Sequence, residues 1–290
     1  MKPRLPSSFA AVLLALAPAL VLAQDEERAP YRPTPQAIVE RMLELAKVRA
    51  DDYVVDLGSG DGRIVLTAAK KYGARGLGVE IDRSLVRAAQ RAAEREGIAE
   101  RAQFAVQDLF ETRLESATVL TLYLLPEMNR KLAPKILAEM QPGTRVVAQE
   151  FVVGDWPPDY KETAAGNEEW TGWRRERGVY LWIVPARIGG EWRVERDGGD
   201  GRAERASGEF TLGIAQHYQS AEGRARHDAT EIDVAFAPIR GREVRFALPP
   251  SPIAGDYVGS LDGDVLQGTW SGPGGTGGTW RAMRKKAAKH

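Results

Sequence analysis

The chain contains no cysteine. Disulfides and a lipoprotein attachment site are therefore excluded, and cysteine usage says nothing of the redox compartment. It has only three histidines, His217, His227 and His290, in no metal-ligand spacing, so no metal centre is expected. Lysine plus arginine and aspartate plus glutamate stand at 40 each. Without a net positive field, no nucleic-acid partner is expected. No Gly-x-Ser-x-Gly elbow and no Walker loop occur, which removes two common catalytic frameworks. Long apolar runs are also scarce. The one at Phe9 to Ala23 falls short of the ~20 residues of a membrane-spanning helix.

That run follows Lys2 and Arg4 and ends in Val21-Leu22-Ala23, before Gln24-Asp25-Glu26-Glu27. A basic start, an apolar middle and small residues before a charged stretch read as a secretory signal over residues 1–23. The expected location is outside the cytoplasm, periplasmic or envelope-associated, with no stable membrane span after cleavage. An uncleaved anchor is the other reading. Residues 24–35, charged and then marked by Pro30, Pro33 and Pro35, read as an extended linker. Thr34-Pro35 can start a helix, with Thr34 as cap and Pro35 at its first position. Ile38, Val39, Met42, Leu43 and Ala46 then recur at helical spacing.

The chain is organised around Val54-Val55-Asp56-Leu57-Gly58-Ser59-Gly60-Asp61-Gly62-Arg63. A short apolar strand runs into a glycine turn that opens a helix, as in the nucleotide-binding corner of a doubly wound sheet. Arg63 stands where a dinucleotide fingerprint would have its third glycine. Asp56 would repel a pyrophosphate and attract a cation. S-adenosylmethionine, with its ammonium and sulfonium, is the common nucleoside ligand of that kind. A second strand ends at Glu80, twenty residues after Gly60, where an acid can bond ribose hydroxyls. A third, Gln103 to Val106, precedes Asp108, which can accept from an adenine amino group. Each acid alone could equally be a helix cap or a solvated strand end.

Through these residues the sequence resembles the class I (seven-strand) S-adenosylmethionine-dependent methyltransferases, over roughly residues 33 to 185. The resemblance implies a Rossmann-like, doubly wound α/β domain with a mostly parallel seven-stranded sheet, and S-adenosyl-L-methionine as cofactor. It assigns Asp56, Gly58 and Gly60 to the methionine end with Ser59 beside them, Glu80 to the ribose, and Asp108 with Leu109 to the adenine. Tyr31 and Thr34, in the lead-in, are further candidates for covering the ligand.

Beyond the turn, strands and helices alternate: a helix at Arg83–Gly97, a continuous apolar strand at Val119–Leu124, a helix at Pro126–Met140 that Pro134 should kink or interrupt, and a strand at Arg145–Ala148. Val179–Val184 could close the sheet as an antiparallel edge. The acceptor must enter near the ends of the first and fourth strands. Here the fourth ends Leu122-Tyr123-Leu124-Leu125-Pro126-Glu127, and the Asn/Asp-Pro-Pro-Tyr motif of nucleobase and glutamine methyltransferases is absent. This ending, the glycine turn and Tyr31-x-Pro33-Thr34-Pro35 together look like bacterial relatives of the mitochondrial protein-lysine methyltransferases that act on the adenine nucleotide translocase and the c-ring protein of ATP synthase. That resemblance implies a protein lysine, or another small amine, as methyl acceptor. Tyr123 and Glu127 are the candidate catalytic residues. Leu125, Pro126, Glu150 and Trp156 are the candidate acceptor contacts, although Glu127 could serve only its helix N-terminus and Trp156 only packing.

From residue 186 the composition shifts to short alternating segments: 191–195, 208–214, 229–236, 243–248, 256–261, 265–270 and 278–282. They predict a small all-β domain over residues 186–284, a sandwich or barrel, with a hairpin at Leu261-Asp262-Gly263-Asp264-Val265. Residues 285–290 read as a solvated basic tail. The methyltransferase domain is thus expected over residues 36–185. Nothing in the sequence speaks to oligomeric state. The rival reading is a non-catalytic envelope protein that uses a methyltransferase-fold scaffold. A dinucleotide-dependent oxidoreductase is disfavoured by Asp56 and Arg63.

Overall fold

The structure is a computed structural model that describes residues 32–163, 178–198 and 208–285. The signal over residues 1–23, most of the linker, Tyr31, Trp170, Trp173 and the last residues of the basic tail lie outside the described residues.

Val54, Val55 and Leu57 are buried on both faces of β1 (Tyr53–Leu57), so this strand can only be central. It pairs in parallel with β2 (Arg75–Glu80) on one side and β4 (Val119–Leu122) on the other. With β3 (Ala102–Val106), β5 (Arg145–Gln149), β6 (Tyr160–Thr163) and β7 (Gly178–Ile183), the seven-stranded sheet runs β3-β2-β1-β4-β5-β7-β6. Strands β1 to β5 are parallel; β7 is antiparallel to β5 and β6 to β7. The strand expected at Val179–Val184 is therefore present but is not the edge, because β6 covers it. The order reverses between β1 and β4, the switch point where such sheets bind ligands.

Helices cover both faces. In α1 (Gln36–Leu45), Ile38, Val39, Met42 and Leu43 pack on Val54, Val119, Val147 and Val179. Its N-cap is Pro35, with no side-chain capping bond. Thr34 is buried instead, and its carbonyl accepts from Arg63 Nη1 at 2.7 Å. Helix α2 (Arg63–Tyr72) follows the glycine turn. Helix α3 (Arg83–Arg95) is capped by Asp82, whose carboxylate accepts from the Ser84 and Leu85 amides. Helix α4 (Pro126–Glu139) runs on through Pro134, which sits on its exposed side while Asn129, Leu132, Ala133 and Ile136 face inward.

The C-terminal part is a closed barrel of eight antiparallel strands: β8 (Gly190–Gly198), β9 (Gly208–His217), β10 (Ser220–His227), β11 (Thr230–Phe236), β12 (Glu243–Leu248), β13 (Gly255–Asp262), β14 (Val265–Ser271) and β15 (Gly277–Arg284). Each pairs with the next and β15 closes on β8. Closure removes the free edges that would otherwise template association. Eight strands leave an interior that side chains can fill. Here Trp192, Phe210, Phe246, Tyr257, Trp270 and Trp280 fill it, with the Phe246 and Tyr257 rings stacked at 4.7 Å. The expected hairpin at 261–265 is the β13–β14 turn, with Asp262 paired to Val265. Strand β10 is absent from the sequence reading because its inward positions are small. A Cβ on Gly223 would lie 2.9 Å from the Phe236 ring, so the neighbouring strand supplies the volume there.

Candidate cofactor and acceptor site

Gly58, Gly60 and Gly62 all have positive φ, at 76°, 53° and 81°. The Gly58 and Ser59 amides both donate to Val79 O at 2.9 Å, which folds the turn back over β2. A Cβ on Gly62 would lie 2.5 Å from the Phe104 ring and 2.7 Å from Ala89 Cβ; one on Gly58 would lie 2.8 Å from Leu124 Cδ2. At positions 58 and 62 the turn therefore has room only for glycine.

Three carboxylates lie at or just beyond the ends of the neighbouring parallel strands β1, β2 and β3. Asp56 is buried near the end of β1 and accepts a 2.7 Å hydrogen bond from Thr121 Oγ1. Burial pushes its carboxyl up to about 7; the Thr121 bond opposes this, and the neighbouring acids Glu80 and Asp61 add to it. Asp56 thus sits among further acids with no basic side chain bonded to it among the described residues, an environment that a cation would relieve. Glu80 accepts from the Gly60 amide at 3.1 Å through one oxygen and from the Ile81 and Asp82 amides at 2.8 and 3.0 Å through the other. A carboxylate accepts about four hydrogen bonds, so it retains capacity for a hydroxyl. Asp108 caps a 3-10 turn through one oxygen, accepting from the Phe110 amide at 2.8 Å. Leu109 is half-buried against the core, and Ile81, Val106 and Phe110 are exposed beside these acids. Ser59 is turned inward: its hydroxyl is buried without a hydrogen-bond partner, and a Cβ on Gly78 would lie 2.7 Å from it. Its side chain packs on β2. The glycine cradle, the cation-seeking Asp56 and acceptors at the next two strand ends fit S-adenosylmethionine.

The residues expected to meet the acceptor lie at the ends of β4 and β5. Tyr123 Oη donates to Glu150 Oε2 at 3.1 Å. Glu150 has φ 71°, left-handed for a residue with a side chain, a strained conformation of the kind found at working sites. Leu125 and Val152, two residues beyond each, are exposed. Pro126 opens α4 at its first position. Glu127, in the first turn of α4, is ion-paired to Arg130; Glu150 is the acid that the structure brings to Tyr123. Trp156 is buried, and its indole packs between Trp182 and Tyr218 in the seam with the barrel. It is a packing residue rather than an exposed acceptor contact.

Two contributors are missing from the sequence reading. Thr121, the partner of Asp56, is a lone hydroxyl in an apolar run; its role follows only from the register that sets it opposite Asp56. Asn129, wholly buried, donates to Phe151 O and Val152 O at 3.3 Å and so holds the loop after β5.

The strand order together with this site defines a class I S-adenosylmethionine-dependent methyltransferase. Residues 56–160 match the model of the ANTKMT methyltransferase domain. A protein-lysine N-methyltransferase of Saccharolobus islandicus is 43% identical over 157 residues, 53% of this chain and 93% of that protein. An adenine nucleotide translocase lysine N-methyltransferase of Mus musculus is 36% identical over 130 residues, 44% of this chain and 56% of that protein. Among solved structures, an RNA methyltransferase of Salinibacter ruber in complex with S-adenosyl-L-homocysteine is 46% identical over 54% of this chain and 96% of that one, with a TM-score of 0.50. The chain belongs to the S-adenosylmethionine-dependent protein-lysine methyltransferase family.

Proposed function

We propose that this protein is an exported enzyme that transfers a methyl group from S-adenosylmethionine to the ε-amino group of a protein lysine. The Tyr123–Glu150 pair carries this reading of the acceptor. The carboxylate receives the lysine ammonium as a charge-assisted hydrogen bond, and the phenol fixes the carboxylate. The amine must then give a proton to solvent, which for a lysine of pKa ~10.4 costs about 4.6 kcal/mol at pH 7; its lone pair forms the nitrogen–methyl bond as the sulfonium–methyl bond breaks and S-adenosylhomocysteine leaves. The apolar surfaces of Leu125 and Val152 disfavour the charged form as the side chain enters. Bound S-adenosylmethionine supplies an activated methyl. What remains for the chain is to align the amine and exclude water. Asp56 takes the cationic end, Glu80 the ribose and Asp108 the adenine.

The Saccharolobus islandicus relative supports a protein lysine. The Salinibacter ruber neighbour favours a second reading, an RNA acceptor. The two separate in one experiment. The purified protein is incubated with methyl-labelled S-adenosylmethionine and, in parallel, with envelope proteins and with total RNA. Label recovered in methylated lysine is expected. Label in RNA alone overturns the acceptor assignment, and binding of S-adenosylmethionine without transfer to either favours the scaffold reading.

Export rests on residues 1–27. Fractionation of cells making the full chain is expected to give a periplasmic or envelope-associated protein whose first residue is Gln24. A cytoplasmic protein beginning at Met1 would refute it.

A further inference from the structure

The barrel touches the loop that follows β5. The loop from Glu150 to Asp159 joins β5 to β6 and carries Glu150 and Val152 at its front. That end is held by the sheet: the Glu150 amide donates to Gly178 O at 2.8 Å, the Phe151 amide to Gln149 O at 2.8 Å, and Asn129 bonds the next two carbonyls. The rear of the loop is held by the barrel. Trp156 Nε1 donates to Gln219 Oε1 at 2.9 Å, and Gln219 Nε2 returns a bond to Pro157 O at 2.8 Å. Gln219 thus meets the loop as a matched donor and acceptor. Trp182 Nε1 donates to Trp156 O at 2.9 Å, and Tyr218 stacks on the Trp156 indole at 6.1 Å, nearly parallel.

Tyr218 and Gln219 form the tip of the β9–β10 hairpin, between the paired residues His217 and Ser220. Hairpin tips ordinarily face water. This one does not: Gln219 is 8% exposed and Tyr218 is half-buried. The tip is braced from behind. Gln216 Nε2 donates to Tyr218 O at 2.8 Å and to Ala186 O at 2.9 Å, its Oε1 accepts from the Ile188 and Gly189 amides, and the Ile239 amide donates to Gln219 O at 2.7 Å. A tip that carries a buried glutamine and is braced on both sides is fixed against this loop.

We infer that Gln219 is a positioning residue for methyl transfer, through which the barrel sets the loop that presents Glu150 and Val152 to the acceptor. This rests on the reading of Tyr123 and Glu150 as the acceptor mouth. Gln219 touches neither substrate; it acts through Trp156 and Pro157. The barrel would then be part of the enzyme's acceptor side rather than an appended recognition module.

The test is Gln219→Met in the full chain, which keeps the volume of the tip and removes both hydrogen bonds. Trp156→Phe, which keeps a buried ring and removes one, is the second variant should the first not fold. Two hydrogen bonds together are worth about a tenfold effect. We expect kcat/KM for the lysine acceptor to fall by roughly that factor in Gln219→Met, by less in Trp156→Phe and by no more in the double variant than in Gln219→Met. Affinity for S-adenosylmethionine should stay within about twofold, and hydrogen exchange at the 151–156 amides should speed up. Acceptor kinetics within twofold of wild type in a folded variant, or unchanged exchange in the loop, would overturn the inference, as would an equal loss of S-adenosylmethionine affinity, which marks a general structural role. If wild type transfers no methyl to lysine, the acceptor reading fails by itself, and hydrogen exchange still decides whether Gln219 holds the loop.

Discussion

Replacing Asp56 by asparagine should weaken S-adenosylmethionine binding by at least about 100-fold, the cost of removing one charge of a buried ion pair, while making the ligand-free protein more stable near neutral pH. Both effects come from one fact. Burial raises the Asp56 carboxyl from 3.8 to about 7, with Glu80 and Asp61 adding to the rise. An acid whose folded value lies above its unfolded value makes the folded state bind more protons between the two. Stability is therefore lost as pH rises from about 4 to about 7. Asparagine keeps an acceptor for the Thr121 hydroxyl and removes the charge, so this loss disappears. Binding of a cationic ligand runs the other way, because it needs the ionised carboxylate. Wild-type affinity should rise by up to tenfold per unit as pH approaches about 7 and level off above it, with release of close to one proton per ligand at pH 6. Titration calorimetry in two buffers of different ionisation enthalpy measures that proton. No proton release at pH 6, or an Asp56→Asn protein that binds normally, would remove Asp56 from the ligand site.

Asp56 is also where the sequence is most legible. An acid before the glycine turn stands out because both features are local, and local geometry needs only neighbouring residues. Glu80 and Asp108 follow from strand ends, which periodicity locates to within a residue or two: β2 ends at Glu80 and β3 at Val106. What is not legible depends on register or on partners distant in the chain. Thr121 matters only because β4 lies beside β1 in a register that sets it against Asp56. Glu127 and Glu150 read alike as acids after strands, and only folding shows one tied to Arg130 on its own helix and the other facing Tyr123. Strand β6 escapes a reading of the sequence, because its Tyr-Lys-Glu-Thr segment has no apolar alternation and, among the described residues, pairs on one side only. The loop that holds Trp156 can be read from the chain but its surroundings cannot, since Gln219, which binds the indole, lies 63 residues further on.

Glu150 offers the second large effect and a sharper separation of stability from function. Its φ of 71° is left-handed, which costs a residue with a Cβ about 1 kcal/mol or more and glycine almost nothing. Glu150→Gly should therefore melt at or above the wild-type temperature. Its amide can still donate to Gly178 O, so the backbone of the loop has no reason to move. Acceptor binding should nevertheless collapse. A hydrogen bond to a charged group contributes about 1.5–3 kcal/mol, or roughly ten- to a hundredfold in kcat/KM for lysine. Glu150→Gln should show a similar loss without the gain in stability, because it keeps the strained side chain and removes only the charge. Tyr123→Phe should cost about tenfold, since it frees the carboxylate from a neutral partner without deleting it. In all three, affinity for S-adenosylmethionine should remain that of wild type, as Glu150 and Tyr123 are distinct from the acids around the glycine turn. Melting curves, steady-state kinetics on a lysine acceptor and cofactor binding on the same samples check each part. A Glu150→Gly protein with wild-type kcat/KM would show that the strained conformation serves the loop alone. One that gains stability while losing turnover would show that the acid is kept there, against the preference of the backbone, for the lysine.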